Sequence, residues 1–332
     1  MMITFTKFLD PKEYKVKVVI TQRQVGGIVD FIPKHFDIIH LKIRNILDFP
    51  VTRMVNLIKK EKADFLFSSI FYLNFRVLVA GKQTGTPVIL RNDNYASKVL
   101  NGFGRFCVRR LYKWAKVVIM QQEEMRDEFR RMFNFPDEKM IVIHNPIDED
   151  TILERSKAPS PYPLNNAINY LWVARFNRQK AQDVLAQAFV KMHDRLPNAH
   201  LWFVGRYHDQ QEFFDKVKMI VDDAGLTDYV HYVGHDSNPY RWMANCDCFV
   251  LPSRFEGLPN TLVEALYLGR PSVSTRSSWL TDVVIKDGQN GYRVEIEDVD
   301  GLAEAMLKAV KIQNASLNYK PGSAEEFCPL FT

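Results

Sequence analysis

The residues best suited to chemistry lie in the segment Ser253 to Ala265, which holds two glutamates eight positions apart. The apolar run Cys248 to Leu251 before it predicts a buried strand. Asn260 is the predicted N-cap of the helix that follows, and Gly269-Arg270-Pro271 is predicted to end that helix. The segment is therefore expected between the carboxyl end of a strand and the amino end of a helix, where α/β proteins bind anionic ligands.

The two glutamates are expected at different points of this segment. Glu256 falls in the loop and Glu264 in the predicted first turn of the helix. Carboxylates accept hydrogen bonds from hydroxyl groups well, so the pair could contact separate parts of one extended ligand. A glutamate pair near a helix start is alternatively explained by a favourable interaction with the helix dipole.

A second candidate site contains two cations five positions apart. Arg175 and Lys180 follow the predicted strand Asn169 to Ala174 and precede a predicted helix near Gln182 to Asp194. On a loop from strand to helix they can converge on one diphosphate, the arginine by a forked contact and the lysine as a point charge. Solvated surface charges are the simpler alternative.

The segment SRFEGLPNTLVEAL, residues 253–266, resembles the Glu-x7-Glu signature of the retaining glycosyltransferases of family four. Within this family the chain resembles the bacterial surface-polysaccharide glycosyltransferases. The spacing Arg175-x4-Lys180 also matches this family, although Ala181 stands where the family usually has glycine. The resemblance covers about Tyr14 to Val310. It implies the GT-B fold, an α/β architecture of two Rossmann-like domains whose parallel sheets face a central cleft.

The same resemblance implies roles for individual residues. Glu264 would bind the ribose hydroxyls of a nucleotide-sugar donor, and Glu256 would bind the hydroxyls of its sugar as an organising group rather than a nucleophile. Arg175 and Lys180 would hold the diphosphate and stabilise it as it leaves, so these two and Glu256 form the predicted catalytic set. The remaining predicted donor contacts are the backbone of Gly257, Leu258, Pro259 and Asn260 and, near the base, His235. His235 is equally well explained as a solvated loop histidine.

Arg91, Asn92 and Asp93 are the candidates on the acceptor side. They follow the predicted strand Pro87 to Leu90 and resemble the strand end of surface-polysaccharide members. Asn-Asp-Asn is also ordinary turn chemistry.

The function implied is transfer of a hexose or N-acetylhexosamine from a nucleotide-diphosphate sugar, expected to be UDP-linked, to a glycan or polyprenyl-linked acceptor. No cofactor and no metal are expected, and Asp298 and Asp300 are predicted to cap a helix over Gly301 to Val310. The alternatives are a nucleotide-sugar epimerase or phosphorylase of the same fold and a degenerate, non-catalytic nucleotide-sugar binder.

Composition is that of an ordinary globular protein with two domains. The chain has 332 residues, of which 46% are hydrophobic and 25% charged. Alternating strands and helices predict two Rossmann-like domains, over 1–150 and 151–332. The resemblance implies that the first is the acceptor-side domain and the second the donor-binding one. The first domain is expected to lack its usual first strand and helix, with Gly26-Gly27 as a remnant of the glycine-rich loop, and the carboxyl end is expected to be shortened. No run of eighteen apolar residues and no signal-peptide pattern occur, which favours a cytoplasmic location.

Charge is concentrated in the first half, where residues 1–150 carry 25 Lys and Arg against 17 Asp and Glu. Residues 94–122 contain no acidic residue, and basic positions there alternate with aromatic ones. The segment 98–116 therefore predicts either a helix that contacts an anionic membrane peripherally, at its inner face, or one that packs its aromatic side on a core. Nucleic acid is not an expected partner.

Overall fold

The computed structural model describes residues 8–21, 32, 36–41, 51–163, 166–206, 211–313, 315–317, 319 and 322–331. The chain forms two compact units, the first of residues 1–147 and 321–332 and the second of residues 148–320. Gly26-Gly27, expected to be a remnant loop, lies outside the described residues.

The first unit contains two parallel sheets, and helices connect the strands of the larger one. One sheet pairs β1 (Lys17–Ile20) with β2 (Asp37–His40), and the other has the order β3-β4-β5-β6. The strands of the second sheet are β3 Leu66–Ser68, β4 Val88–Arg91, β5 Val117–Met120 and β6 Met140–Val142. The helices are α1 Val51–Glu61, α2 Phe71–Thr84, α3 Ala96–Val99, α4 Gly102–Leu111 and α5 Glu123–Phe133. β4 and β5 are buried along their whole length, as expected of apolar strands covered on both faces.

The second unit is one sheet of six parallel strands covered by helices. Its strands are β7 Ile168–Val173, β8 Ala199–Val204, β9 Val230–Gly234, β10 Cys248–Leu251, β11 Ser272–Thr275 and β12 Gly291–Val294. Its helices are α6 Glu149–Ser156, α7 Gln182–His193, α8 Gln211–Asp223, α9 Pro239–Asn245, α10 Asn260–Tyr267, α11 Trp279–Val284 and α12 Val299–Ala309. Fully buried Trp172, Phe189 and Phe203 belong to its core.

The strand order of this sheet, β12-β11-β10-β7-β8-β9, reverses direction beside its first strand. From β7 the chain builds outward through β8 and β9, and it then returns to β7 to build β10, β11 and β12 on the other side. β7 and β10 are hydrogen-bonded neighbours, with Tyr170 opposite Cys248 and Leu171 opposite Phe249. Loops that leave the carboxyl ends of two strands at such a reversal diverge to opposite faces and leave a crevice for a ligand.

The structure corrects several sequence-based expectations. Asn260 is the first residue of α10, and Pro259 occupies the N-cap position without a side-chain cap. The predicted helix through Lys116 ends at Leu111 and continues as a 3-10 turn, Tyr112–Trp114. The sequence analysis did not identify α6, α11 and β12, whose short lengths give little periodicity.

The predicted capping role of Asp298 is confirmed, because its carboxylate accepts a hydrogen bond from the Gly301 N–H at 2.8 Å.

The last described segment packs on the first unit, whereas residues 151–332 were assigned as a whole to the second domain. It contains the short helix α13 (Ala324–Phe327) and a 3-10 turn, Cys328–Phe331. Phe327 is fully buried and lies edge-on to Phe67, while Phe331 lies edge-on to Phe65. The segment belongs to the first unit because its aromatic rings pack in the core of that unit.

No helix in the part of the chain that the structure describes combines the length and the apolar character needed to cross a bilayer.

Candidate functional site

The two predicted chemical loops of the second unit meet because their strands are neighbours. The loop with Arg175 and Lys180 leaves the end of β7, and the loop with Glu256 leaves the end of β10. Both loops then run into helices, α7 and α10. Two segments about eighty residues apart in sequence thus form one site at the reversal of the sheet.

Glu256 is the centre of this site. The residue is 4% exposed, and its carboxylate accepts hydrogen bonds from Lys180 Nζ at 2.6 Å and from Ser253 Oγ at 2.6 Å. Gln179 Nε2 reaches the other carboxylate oxygen at 3.3 Å. A carboxylate so buried requires partners of this kind, so its orientation is fixed by the protein itself.

The two loops are also joined through their backbones. The Arg254 N–H donates to the carbonyl of Gln179 at 2.8 Å, and the Gln179 side chain donates to the carbonyl of Phe255 at 2.9 Å. On the far side, the Glu256 N–H donates to the carbonyl of Ser277 at 2.9 Å. The loop after β10 is thereby held between the loops after β7 and β11.

Sequence analysis missed four supporting residues: Gln179, Ser253, Thr275 and Ser277. The Thr275 hydroxyl donates to the carbonyl of Ser253, so β11 supports the glutamate loop directly. The available signal was the Ser/Thr-rich end of β11, where six of the residues from 272 to 278 carry hydroxyls or a charge. Such residues are common in loops, and nothing in the local pattern marked them as supports.

Ala181, the departure from the family pattern, lies in the left-handed region with φ 47° and ψ 40°. It ends the 3-10 turn Arg178–Lys180 and begins α7, and it is fully buried. The Asn177 side chain stabilises this turn by accepting from the Lys180 N–H at 3.0 Å. The usual glycine is therefore explained by backbone conformation, because glycine adopts positive φ without a Cβ penalty.

Glu264 is the fifth residue of α10, one position further along the helix than predicted. Loss of hydration raises the pKa of its carboxyl group to about 7. Burial is the main cause of the raised pKa of Tyr240 on α9, and the charge of Glu264 raises that pKa further. Glu264 therefore changes protonation state near neutral pH, unlike an ordinary surface glutamate.

The other predicted donor residues occupy the same edge of the sheet. Gly257, Leu258 and Pro259 are buried, while Arg175 is exposed at the loop after β7. His235 is exposed and follows Gly234, the last residue of β9. Gly205 follows β8 at this edge and lies against Ala174, the residue after β7. An added Cβ would lie 1.6 Å from the Ala174 carbonyl oxygen, so only glycine fits at this position.

In the first unit, Arg91, Asn92 and Asp93 stand at the carboxyl end of β4. Arg91 is 2% exposed and donates to Asn145, and burial lowers its pKa to about 10 against the opposing effect of Asp93. Asn92 is 1% exposed and accepts from the Tyr112 hydroxyl at 3.1 Å, while Asp93 is exposed. The first two are thus parts of a buried polar network, and Asp93 reaches solvent.

Among the described residues, no group of three or more His, Cys, Asp or Glu side chains is arranged to hold a metal ion.

Comparison with known proteins identifies both halves of the chain. Residues 2–151 match the family described as Glycosyltransferase Family 4, and residues 167–311 match the family described as Glycosyl transferases group 1. Each half of the chain is thus similar to a family of glycosyltransferases. The fold agrees, since Anabaena HepE in complex with UDP and glucose superposes with a TM-score of 0.80 at 18% identity, over 95% of this chain and 88% of that one. The predicted GT-B fold is confirmed.

Two curated proteins illustrate the range of the similarity. An uncharacterised glycosyltransferase of Methanocaldococcus jannaschii is 29% identical over 168 residues, which are 49% of this chain and 40% of that protein. A Campylobacter jejuni diphospho-undecaprenol 4-alpha-N-acetylgalactosaminyltransferase is 24% identical over 253 residues, which are 75% of this chain and 66% of that protein. The chain thus matches less than two thirds of the length of either relative.

The left-handed backbone at Ala181 predicts unequal effects of two substitutions at this position. In Ala181→Gly, relief of the left-handed conformation, roughly 1–2 kcal/mol, offsets the entropy cost of glycine and the lost buried methyl. The free energy of unfolding should therefore change by less than about 1 kcal/mol. Ala181→Val places a β-branched side chain at positive φ in a filled space and should lower that free energy by about 2–3 kcal/mol. Urea unfolding measures both, and a fully stable valine variant would contradict the assigned conformation.

Proposed function

We propose that this protein is a retaining glycosyltransferase that moves a hexose or N-acetylhexosamine from a UDP-sugar to a glycan or polyprenyl-linked acceptor in surface-polysaccharide synthesis. The observation that carries the proposal is the contact of Lys180 with buried Glu256 at the reversal of the sheet. It joins a cation suited to a diphosphate with a carboxylate suited to sugar hydroxyls. Similar proteins give further support, since one is a diphospho-undecaprenol 4-alpha-N-acetylgalactosaminyltransferase and the structure of another is a complex with UDP and glucose.

The proposed roles follow from charge and burial. Arg175 and Lys180 bind the donor diphosphate and stabilise the negative charge that grows on it as the bond from the sugar C1 to the diphosphate oxygen breaks. Glu256 accepts hydrogen bonds from the sugar hydroxyls, and the backbone of Gly257 to Asn260 lines the same pocket. Glu264 binds the ribose hydroxyls and His235 approaches the base.

The acceptor hydroxyl forms the new bond to C1, and its proton passes to an oxygen of the departing diphosphate. Glu256 acts as an organising group in this scheme, because Lys180 and Ser253 already bond one of its oxygens and Gln179 the other. The cations neutralise the leaving group, so the reaction as proposed needs neither a metal nor another cofactor. Asp93, which reaches solvent, orients the acceptor, and the buried Arg91 and Asn92 hold the strand end that carries it.

The helix α4 supports a peripheral contact with an anionic membrane. Phe103 is 74% exposed and Phe106 is 54% exposed, while Cys107 and Val108 on the same helix are buried. Arg105, Arg109 and Arg110 lie on this helix too, and the Arg110 guanidinium lies over the Phe106 ring at 5.5 Å. Protruding aromatic rings among arginines suit the headgroup region of an anionic bilayer and favour the membrane alternative over packing on a core. The enzyme is accordingly proposed to work in the cytoplasm, at the inner face of the membrane.

The transferase proposal predicts release of nucleotide from a nucleotide sugar. The protein is incubated with a panel of UDP- and GDP-sugars, with and without a membrane lipid extract, and UDP and GDP are quantified. Lys180→Met should lower kcat roughly 100- to 1,000-fold, since it removes a charge that stabilises the transition state. Lys191→Met is the matched control and should leave kcat unchanged. Among the described residues, Lys191 pairs only with Asp300, at an exposed site. Binding of a donor without release under any condition would refute transfer and favour a non-catalytic binder.

The raised pKa of Glu264 predicts pH-dependent nucleotide binding. Only the ionised carboxylate accepts both ribose hydrogen bonds, so protonation below pH 7 should weaken UDP affinity about tenfold between pH 8 and pH 6. Titration calorimetry with UDP measures this slope. Glu264→Gln cannot ionise and shows the slope due to the phosphates alone. Equal slopes for the two proteins would refute the ribose role of Glu264.

Membrane contact through α4 predicts binding to vesicles of equal parts phosphatidylglycerol and phosphatidylcholine, but not to phosphatidylcholine alone. Burial of a Phe side chain contributes about 1.5–3 kcal/mol, so the double change Phe103→Ser, Phe106→Ser should reduce vesicle binding at least about tenfold. Cosedimentation measures the bound fraction. The matched control is Met219→Ser, which removes another apolar side chain, 58% exposed, from α8 of the second unit. An equal loss with the control would contradict this proposed contact.

A further inference from the structure

Arg254 makes the most extensive set of contacts at the candidate site, although no role had been expected for it. Its guanidinium forms a bidentate pair with Asp183, with both N–O distances at 3.1 Å. It also donates to the carbonyl of Arg178 at 2.7 Å and pairs with Glu297. One side chain on the glutamate loop thus binds the loop after β7, the first turn of α7 and the segment before α12.

The partner Asp183 is well placed to resist movement. It is 5% exposed and also pairs with Lys216 Nζ at 2.7 Å. Burial alone would raise the pKa of Asp183, but hydrogen bonds from Arg254 and Lys216 outweigh burial and keep that pKa below its usual value. The planar fork of an arginine matches a carboxylate in a fixed orientation, which a lysine cannot reproduce.

Two strained backbone positions flank this interaction. Ala181, two residues before Asp183, and Glu297, which binds the Arg254 guanidinium, both have positive φ, at 47° and 66°. Non-glycine residues persist in this conformation when surrounding contacts over-determine it, and such positions concentrate at functional sites. The contacts of Arg254 with both regions supply that constraint.

On the basis of the proposed function, we infer that Arg254 is a positioning residue of the transfer reaction. It fixes the turn Arg178–Lys180 against the loop of Glu256 before the donor binds. The 2.6 Å contact of Lys180 with Glu256 depends on this alignment, because the two residues lie on different loops. Apart from this pair, Arg254 and Gln179 are the only described side chains that connect the two loops directly. Arg254 therefore acts through Lys180 and Glu256 and need not touch the donor. Displacement of catalytic groups by about 1 Å is enough to lower a rate about 100-fold.

The test compares Arg254→Met and Arg254→Lys with Arg195→Met, whose arginine pairs with Glu304 at an exposed site of the same unit. Affinities for UDP, UDP-glucose and UDP-N-acetylglucosamine are measured by calorimetry. Arg254→Met should lower UDP affinity by no more than about threefold, through the displaced Lys180, because Arg175 still binds the diphosphate. It should lower affinity for the preferred UDP-sugar about tenfold, since the sugar contact of Glu256 is misaligned as well. Arg254→Lys should recover only part of this loss, and Arg195→Met should match the wild type.

Two further measurements separate positioning from general support. With the donor that gives nucleotide release, Arg254→Met should lower kcat roughly 10- to 100-fold at a nearly unchanged thermal midpoint. In a Glu256→Gln background, the same change should cost less than about threefold, because the group through which it acts is already altered. Additive losses in the two backgrounds would overturn the inference.

Failure of the proposed function gives a different pattern. If the wild type releases no nucleotide from any donor, the transferase proposal fails, and positioning is judged by binding and by amide hydrogen exchange over residues 178–183 and 254–256. Faster exchange in both segments of Arg254→Met, together with selective loss of UDP-sugar affinity, supports positioning. Unchanged exchange and affinity overturn it.

Discussion

The ion pair of Lys180 with buried Glu256 is the interaction around which the second unit's site is arranged. It exists because β7 and β10 are neighbours at the point where the strand order reverses, although their loops are far apart in sequence. A carboxylate that is 4% exposed is stable only with charged and hydrogen-bonding partners. The strand order therefore determines which cation meets which carboxylate, and that pairing determines the chemistry available at the edge of the sheet.

The need to satisfy Glu256 extends to the surrounding loops. Ser253 and Gln179 complete its hydrogen bonds, Thr275 supports the backbone of Ser253, and Arg254 connects the same loop to Asp183. Each of these contacts orders a segment that would otherwise be free to move, so the geometry exists without a ligand. Preorganised groups are worth more to a reaction than mobile ones, since they need no reorganisation as charge develops.

The first unit combines a buried polar network with aromatic side chains exposed on α4. Its strand ends carry buried polar pairs, and Asn74 of α2, Tyr112 and Asn92 form a continuous hydrogen-bonded series beside the end of β4. Buried networks of this kind hold their members in one arrangement when every group is satisfied. On α4, in contrast, Phe103 and Phe106 extend into solvent, which is costly unless a further surface covers them. The proposed acceptor and membrane contacts thus lie on one compact unit.

Sequence alone determined the alternation of strands and helices, the two chemical loops and the family resemblance, because buried strands and strand-to-helix loops have local signatures. It also indicated that Ala181 departs from a usual glycine, but not that this residue adopts positive φ. Only the tertiary structure paired Lys180 with Glu256, raised the pKa of Glu264 to about 7 and connected Arg254 with Asp183. Those properties depend on strand order and burial, which join residues distant in the chain and leave no local pattern.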